Sequence, residues 1–559
     1  MMKMKSLVSA LGVVTMLVAG CTPAQYASQA DQAAYTALAS GQNVALGERH
    51  PFSIEYEPVR SEPDGPITID GKVIPIASKD EPVALTLEEC LAIAVRSSRS
   101  YQDRKEQLYS AALALANARR EWENSLFEGP ITANASHTAV NRGSETNAAD
   151  ASAGLAWTRS FIHGGQLALG LSLDFLADFT GGGATTVGSL LEANFTQPLL
   201  RGAWRGFAYE DQYRLERDFL ISVFSYQRFT QTFATDIVSE HYSVLEQRDQ
   251  LANELANIER LRETLALTRT LVQGGQVSRI QQDQAEQDLL NAQVRYERAQ
   301  QAYQDTLDSF KLTLGLPVRA RMELEYPGAL EALRRVGPPP IPFDEATATD
   351  VALAVRPDVL TERANVRDAH KDVELAADEF NPRLDLALAA SVPSKEKRQF
   401  WELQPHRNTR DVSVAFEYDI DQTDNRDAYR NALIAAAKAV RDYDEFVDQV
   451  RLQVRRSYRS LMQSRRSYEL QMTNVEIARR RRALAALQQR EGEASARDVL
   501  EAEEALRNAQ NGLTSALVQY VTTRLNFLAD LGMIEVGQRG QIHEREEPFR
   551  FLRLQQRYE

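Results

Sequence analysis

Two stretches decide how this chain folds: residues 278–315, SRIQQDQAEQDLLNAQVRYERAQQAYQDTLDSFKLTLG, and residues 495–532, SARDVLEAEEALRNAQNGLTSALVQYVTTRLNFLADLG. They align without a gap at an offset of 217, which also carries Gly275 onto Gly492. Ser278 then matches Ser495, Ala285 Ala502, Glu286 Glu503, Leu289 Leu506, Tyr303 Tyr520 and Phe310 Phe527. Asn291-Ala292-Gln293 falls on Asn508-Ala509-Gln510, and Leu314-Gly315 on Leu531-Gly532. In the first copy Leu289, Ala292, Tyr296, Ala299, Tyr303, Leu307, Phe310 and Leu314 recur at steps of three and four, the spacing of one helix face. The glycine that closes each copy suits a helix C-terminus. We read an internal duplication in which each copy is a helix returning from a glycine-bearing turn.

A much longer helix precedes each return. Gly206 to Val272 contains no proline and no further glycine, and Phe219, Val223, Tyr226, Phe229, Phe233, Ile237 and Val244 keep helical spacing, with His241 as a break. Asn425 to Gln489 is equally free of both breakers. Each would run about 100 Å at 1.5 Å per residue, which implies a coiled coil. Ala94-Val95-Arg96 is echoed by Ala354-Val355-Arg356, each at the head of a shorter helix.

Strand patterns lie between the helices. Leu167, Leu169, Leu171, Leu173, Phe175 and Phe179 alternate with Ala168, Gly170, Ser172, Asp174 and Asp178; Leu191, Ala193 and Phe195 alternate with Glu192, Asn194 and Thr196. Later, Leu384, Leu386 and Leu388 alternate with Asp385, Ala387 and Ala389. Val412, Val414, Phe416, Tyr418 and Ile420 alternate with Ser413, Ala415, Glu417, Asp419 and Asp421. Alternation gives one apolar and one polar face. A soluble sandwich would do the same, but acids and small residues on the polar face suit a wet lumen, and about ten residues suits a tilted bilayer crossing. Thr180 to Ser189 and Val392 to Thr409 are expected to be solvent-facing loops.

Lys3 and Lys5 head the chain, followed by an apolar run from Leu7 to Ala19 that is too short to span a bilayer and suits a secretory signal. Leu17-Val18-Ala19-Gly20-Cys21 resembles the bacterial lipobox, which implies cleavage before Cys21 and acylation of its thiol; a plain signal with an incidental cysteine is the alternative. Residues 21–84 carry no motif and read as a tether. The other cysteine, Cys90, lies in a helical pattern and suits a small core position. Among 559 residues, 64 Lys and Arg stand against 78 Asp and Glu, a net charge of −14, which disfavours nucleic-acid binding. Two cysteines exclude a disulfide framework, and His50, His137, His163, His241, His370, His406 and His543 are too dispersed for a ligand cluster. No Gly-x-x-x-x-Gly-Lys, His-Glu-x-x-His or Gly-x-Ser-x-Gly motif occurs, so we expect no enzyme, cofactor or metal.

A lipobox, then helix, hairpin, long helix, glycine turn and return helix in two repeats, resembles the TolC family of outer-membrane efflux and secretion channels over Leu85 to Val536. Local marks are Leu85-Thr86-Leu87-Glu88-Glu89, Gln197-Pro198-Leu199-Leu200, Arg356-Pro357-Asp358-Val359 and Asp498-Val499-Leu500-Glu501-Ala502. The resemblance implies a mixed membrane fold of transmembrane β-barrel strands and a long α-helical coiled-coil tunnel, assembled as a homotrimer. It also implies a periplasmic adaptor and an inner-membrane pump as partners, with the chain acting as a passive exit duct. The expected divisions are a signal at 1–20, lead-in helices at 85–127 and 348–381, and strands at 128–198 and 382–421. Tunnel helices with their tips and returns take 199–319 and 422–534, with a linker at 320–347 and a tail at 535–559.

The family usually supplies two strands per repeat. The first repeat here shows four candidates, near Ile131–Val140, Ala153–Phe161, Gln166–Phe179 and Leu190–Gln197, with a short turn Ile162-His163-Gly164-Gly165. The extra pair either widens the barrel or forms an extracellular flap. By resemblance, Asp498 and Glu501 would ring the closed periplasmic end, a helix turn apart, while Gln281 and Gln284 hold the matching positions of the first repeat. Gly275 and Gly492 would mark the adaptor-docking tips. The arginine the family often has four residues before the glycine is replaced by Leu271 and Gln488; Arg490 is a candidate substitute. The run Arg479 to Arg482 reads as a solvated face, or as inter-helix salt bridges. A coiled-coil lipoprotein without a pore is the competing function, and the alternating strands argue against it.

Overall fold

The computed structural model describes residues 23–46, 51–55, 67–69, 72–75, 81–123, 126–128, 131–140, 144–178, 185–337, 339, 343–395, 399–491 and 493–545. The lipobox cysteine, Cys21, and one tip glycine, Gly492, lie outside them. In chain order come α1 (Pro23–Leu46), β1 (Ile67–Ile69), β2 (Lys72–Ile74), β3 (Val83–Leu85), α2 (Leu87–Ser97) and α3 (Arg99–Glu123). Strands β4 (Leu126–Glu128), β5 (Ile131–Val140), β6 (Ser144–Ser160), β7 (Gln166–Asp178) and β8 (Thr185–Pro198) follow. Next are α4 (Arg205–Ala208), α5 (Glu210–Gln273), α6 (Arg279–Thr313), β9 (Met322–Leu324), α7 (Gly328–Val336), α8 (Glu345–Val355) and α9 (Pro357–Asp378). The chain continues with β10 (Arg383–Lys395), β11 (Gln399–Leu403), β12 (Thr409–Glu417), α10 (Thr423–Glu491), α11 (Ala496–Asp530), β13 (Ile534–Val536) and β14 (Ile542–Glu544). Among the described residues no helix is long and apolar enough to cross a membrane.

The two breaker-free stretches are single helices, α5 of 64 residues and α10 of 69. The return helices α6 and α11 are each 35 residues long, and both their ends keep the 217 offset. Contacts divide the chain into two units, one holding residues 109–223 and 362–443 with most of α1, the other holding 46–108, 224–361 and 444–559.

The first unit is built on one antiparallel sheet. Its order is β11-β10-β8-β7-β6-β4, with β12 also on β10 and β5 also on β6. Because β4 and β5 share one flank of β6, and β11 and β12 one flank of β10, the sheet is six strands wide. The register keeps the alternation in phase across the sheet. Leu167, Phe195, Leu388 and Val412 stand side by side, and so do Ala168, Asn194, Ala389 and Asp411. The apolar face is uncovered: Leu155, Leu171, Phe175, Leu191, Val414 and Phe416 are all exposed. The sheet reaches farther than the sequence pattern at its loops. β8 begins at Thr185, and the expected loop 392–409 holds the end of β10, all of β11 and a short Pro405–Arg407 turn. Tyr418 and Ile420 lie beyond the end of β12.

The expected tether instead contains α1, a 24-residue helix. Ala34, Ala37 and Leu38 are buried, and Tyr109 donates to Asp31 at 2.6 Å. A Cβ on Gly41 would stand 2.2 Å from the Phe219 ring, so glycine lets the helix lie against α5. Alanine covers little apolar area per residue, which is why this face escapes a periodicity reading. All four tryptophans, Trp122, Trp157, Trp204 and Trp401, belong to this unit.

In the second unit the expected linker contains β9 and α7, and the described start of the expected tail contains the end of β13 and all of β14. β3 pairs in parallel with β9, and β13 antiparallel with β14. The motif at Thr86 is a capping box: Thr86 Oγ1 accepts the Glu89 amide and Glu89 Oε2 accepts the Thr86 amide. Leu85, Cys90 and Ile93 pack with Ile237, Phe310 and Leu316 in one core. His241, the break in the α5 pattern, is 1% exposed beside Phe310, and its Nδ1 has no hydrogen-bond partner. Burial lowers its pKa to about 4.

Both return helices close with the same backbone device. Gly315 and Gly532 adopt φ of +79° and +72°. The next amides, of Leu316 and Met533, donate back to Lys311 and Leu528 carbonyls at 2.8 and 2.9 Å. Their surroundings differ: a Cβ on Gly315 would meet Ser97 O at 2.1 Å, whereas on Gly532 nothing lies nearer than 3.6 Å.

Gly315→Ala should therefore cost about 3–5 kcal/mol, strain plus overlap, against about 1–2 kcal/mol for Gly532→Ala; urea titration of the two variants checks the ranking. The unfolded chain protonates His241 near pH 6.5, and the folded chain only near 4. Stability should be full above pH 6.5 and fall by about 1.4 kcal/mol per unit of acidification between those values. Urea midpoints across that range should show a shallower slope in His241→Phe than in the parent.

Candidate functional site

The residues expected from the sequence to be functional lie near the turns that end α5 and α10. At the first tip α5 ends in the same glycine-closed turn, with Gly275 at φ +74° and Gln276 N donating to Leu271 O at 2.9 Å. At the second, Glu493 N donates to Gln488 O at 2.8 Å, and Ser495 caps α11. Asp498 completes that cap: its carboxylate accepts from Ser495 N at 2.9 Å and from Ser495 Oγ at 2.7 Å. Those bonds hold it below the usual carboxylate range. Glu501, one turn on, pairs with Arg497 at 3.3 Å and with Arg481 of α10 at 3.7 Å. Both acids are exposed. Each has local partners, and the two make no bond to one another.

The arginine run divides by register. Arg480 reaches only its own helix, at Glu476. Arg481 and Arg482 cross to α11, and Arg482 Nε lies 2.6 Å from Glu503.

Glu503 matters most in this region and stands out least in sequence. It is 1% exposed, and its second oxygen accepts from Arg260 Nε of α5 at 2.5 Å. One carboxylate thus ties three helices. The signal for it was its register: Val499, Ala502, Leu506 and Ala509 form a buried stripe, and Glu503 falls inside that stripe.

The triad is one rung of a longer seam. Arg507 Nη1 donates to Glu254 Oε1 at 2.8 Å, and Asn253 donates to Asn511 at 2.8 Å. Asp249 accepts from Thr514 at 2.5 Å, Arg334 at 3.0 Å and Tyr326 at 3.1 Å. Each step forward on α5 is a step backward on α11, so the helices run antiparallel. Apolar packing of Ile258, Leu261 and Leu265 with Ala285, Ala292 and Leu500 fills in around these rungs.

Removing a carboxylate shared by two guanidinium groups leaves both without their counter-charge. Glu503→Gln should cost about 2–4 kcal/mol in urea unfolding. Glu286→Gln, at the matching exposed position where Arg269 sits 3.5 Å away, should cost under about 1 kcal/mol.

The comparisons fit this architecture. Residues 348–532 match the family model described as outer membrane efflux protein. A comparison with curated proteins yields no match. Among solved structures, the CmeC outer membrane channel of Campylobacter jejuni has a TM-score of 0.58 at 14% identity, covering 84% of this chain and 88% of that one. The open state of the MtrE outer membrane channel of Neisseria gonorrhoeae gives 0.59 at 15% identity, covering 86% and 97%. The outer membrane protein VceC of Vibrio cholerae gives 0.56 at 14% identity, covering 80% and 96%. The chain therefore carries the outer membrane efflux protein domain in its second half and has, over most of its length, the fold of the TolC-family outer-membrane channels.

Proposed function

We propose that three copies of this chain form an outer-membrane exit duct for a tripartite efflux or type I secretion system, passive in itself and driven by an inner-membrane pump through a periplasmic adaptor. The observation that carries this reading is the sheet. One face is largely apolar and uncovered, while the other bears Asp174, Glu192, Asp385, Asp411 and Glu417. β6, β7, β8 and β10 have 17, 13, 14 and 13 residues. A tilted crossing needs about 9–11. Lipid outside and water inside suit those two faces.

Aromatic placement agrees. Where strands give way to helices, Trp122 packs on Tyr209 at 5.0 Å and Trp204 is 70% exposed. Rings of this kind favour the membrane–water boundary. The helices supply the reason for more than one copy. Leu470, Ile477 and Leu484 make a seven-residue-spaced exposed row on α10, and Ile280, Leu290 and Val294 are exposed on α6. Such rows need a mate.

In this reading acylated Cys21 anchors each copy, and Gly275 and Gly492 mark the tips that meet the adaptor. Three copies of Asp498 and Glu501 ring the periplasmic mouth, favouring cations over anions. Purified protein in a planar bilayer should show a cation-preferring channel. Asp498→Asn with Glu501→Gln, in which the amide can still accept at the helix cap, should raise conductance about two-fold or more and weaken block by multivalent cations. Unchanged conductance removes the two acids from the gate. No conductance at all removes the duct and favours a coiled-coil lipoprotein without a pore.

A further inference from the structure

We infer that the barrel is closed by strand pairing between β12 of one copy and the β4–β5 edge of the next, giving about 18 strands in a trimer. The inference rests on the trimeric duct and names the surface by which its copies join.

The alternative is that the extra hairpin is an extracellular flap, and the position of one turn argues against that. Phe161 to Gly165 links β6 to β7, and a Cβ on Gly164 would stand 2.9 Å from Pro198, 3.1 Å from Gly202 O and 3.2 Å from Ala208. Those residues belong to the passage from β8 into α4 and α5, the end at which the sheet meets the helices. Gln197 also donates to His163 O at 2.9 Å. β6 therefore descends the full height of the sheet, pairing with β7 from Ala148 to Ser160. A flap would turn back without reaching this end. Beside β6, β5 pairs over residues 144–153 and β4 over 156–158, so the outermost strand flanks most of the length of β6. The chain enters that strand directly from α3.

Two edges remain. Among the described residues, β12 pairs only with β10, and β4 and β5 only with β6. Lipid offers no hydrogen bonds to either row of backbone groups. The edges complement one another. With six strands alternating in direction, the first and last run oppositely, so the first strand of one copy meets the last of another in antiparallel sense. Their lengths agree, 10 residues in β5 and 9 in β12. Their faces also agree. Thr132 bonds Ser152, whose row continues through Asp174, and Ser413 stands in the row of Ala387 and Thr196, so both edges present polar positions to one face. At about 4.8 Å per strand and 40° of tilt, 18 strands give a backbone diameter of about 36 Å, against about 24 Å for 12.

Cysteine pairs test this in the full chain. Ser413→Cys combined in turn with Thr132→Cys, Asn134→Cys, Ser136→Cys or Thr138→Cys should give, on oxidation, disulfide-linked dimers and trimers for at least one register. Ser413→Cys with Ser172→Cys on β7 should give none. Links through β7, or through neither strand, in an oligomer that still conducts would overturn the closure and leave the duct standing. The unsubstituted protein supplies a second readout, since a barrel nearer 24 Å than 36 Å by electron microscopy overturns it as well.

Discussion

The antiparallel register between α5 and α11 is the contact on which the helical part depends. A purely apolar seam between helices this long would slide at little cost, because one turn of Leu and Ala resembles the next. Here charges of alternating sign interrupt it. Glu254 faces Arg507, and Arg260 faces Glu503. Sliding α11 one way brings Glu254 toward Glu503; sliding it the other way brings Arg260 toward Arg507. Either slip sets like charges together in a poorly hydrated space. These groups add little net stability against an apolar filling of the same volume. What they add is a single alignment.

The sheet meets the opposite problem. Its apolar residues share one uncovered face and its polar ones the other, so the sheet has no apolar core of its own to hold the strands. Register is fixed by backbone pairing and by the alternation itself, since a one-residue slip would put leucines among the acids. One chain thus uses side-chain charge to align helices and side-chain polarity to align strands.

Much of this could be read in the sequence, for identifiable reasons. Long helices advertise themselves by the absence of glycine and proline, and α5 and α10 follow those limits within a few residues. The 217 offset reappears in the ends of α6 and α11, because caps are set by local residues such as Ser495 and Gly532. Strand existence was visible for β5, β7 and β12, yet strand order was not, since pairing joins residues far apart in the chain. α1 was hidden by its alanines. Glu503 was hidden by its neighbour Glu501: both are acids on the same turn, and only the direction of the helix face separates a solvated carboxylate from one between two arginines. Asp498 closes the first turn of α11, which its spacing from Ser495 already implied.

The distribution of indole rings gives the sheet-bearing unit an optical signature of its own. With Trp122, Trp157, Trp204 and Trp401 all in the sheet-bearing unit, emission excited at the red edge of the near-ultraviolet reports on that unit alone. Far-ultraviolet ellipticity, by contrast, is dominated by α5, α6, α10 and α11. Melting of the long helices and loss of the strands can thus be followed in one unlabelled sample, each by its own light.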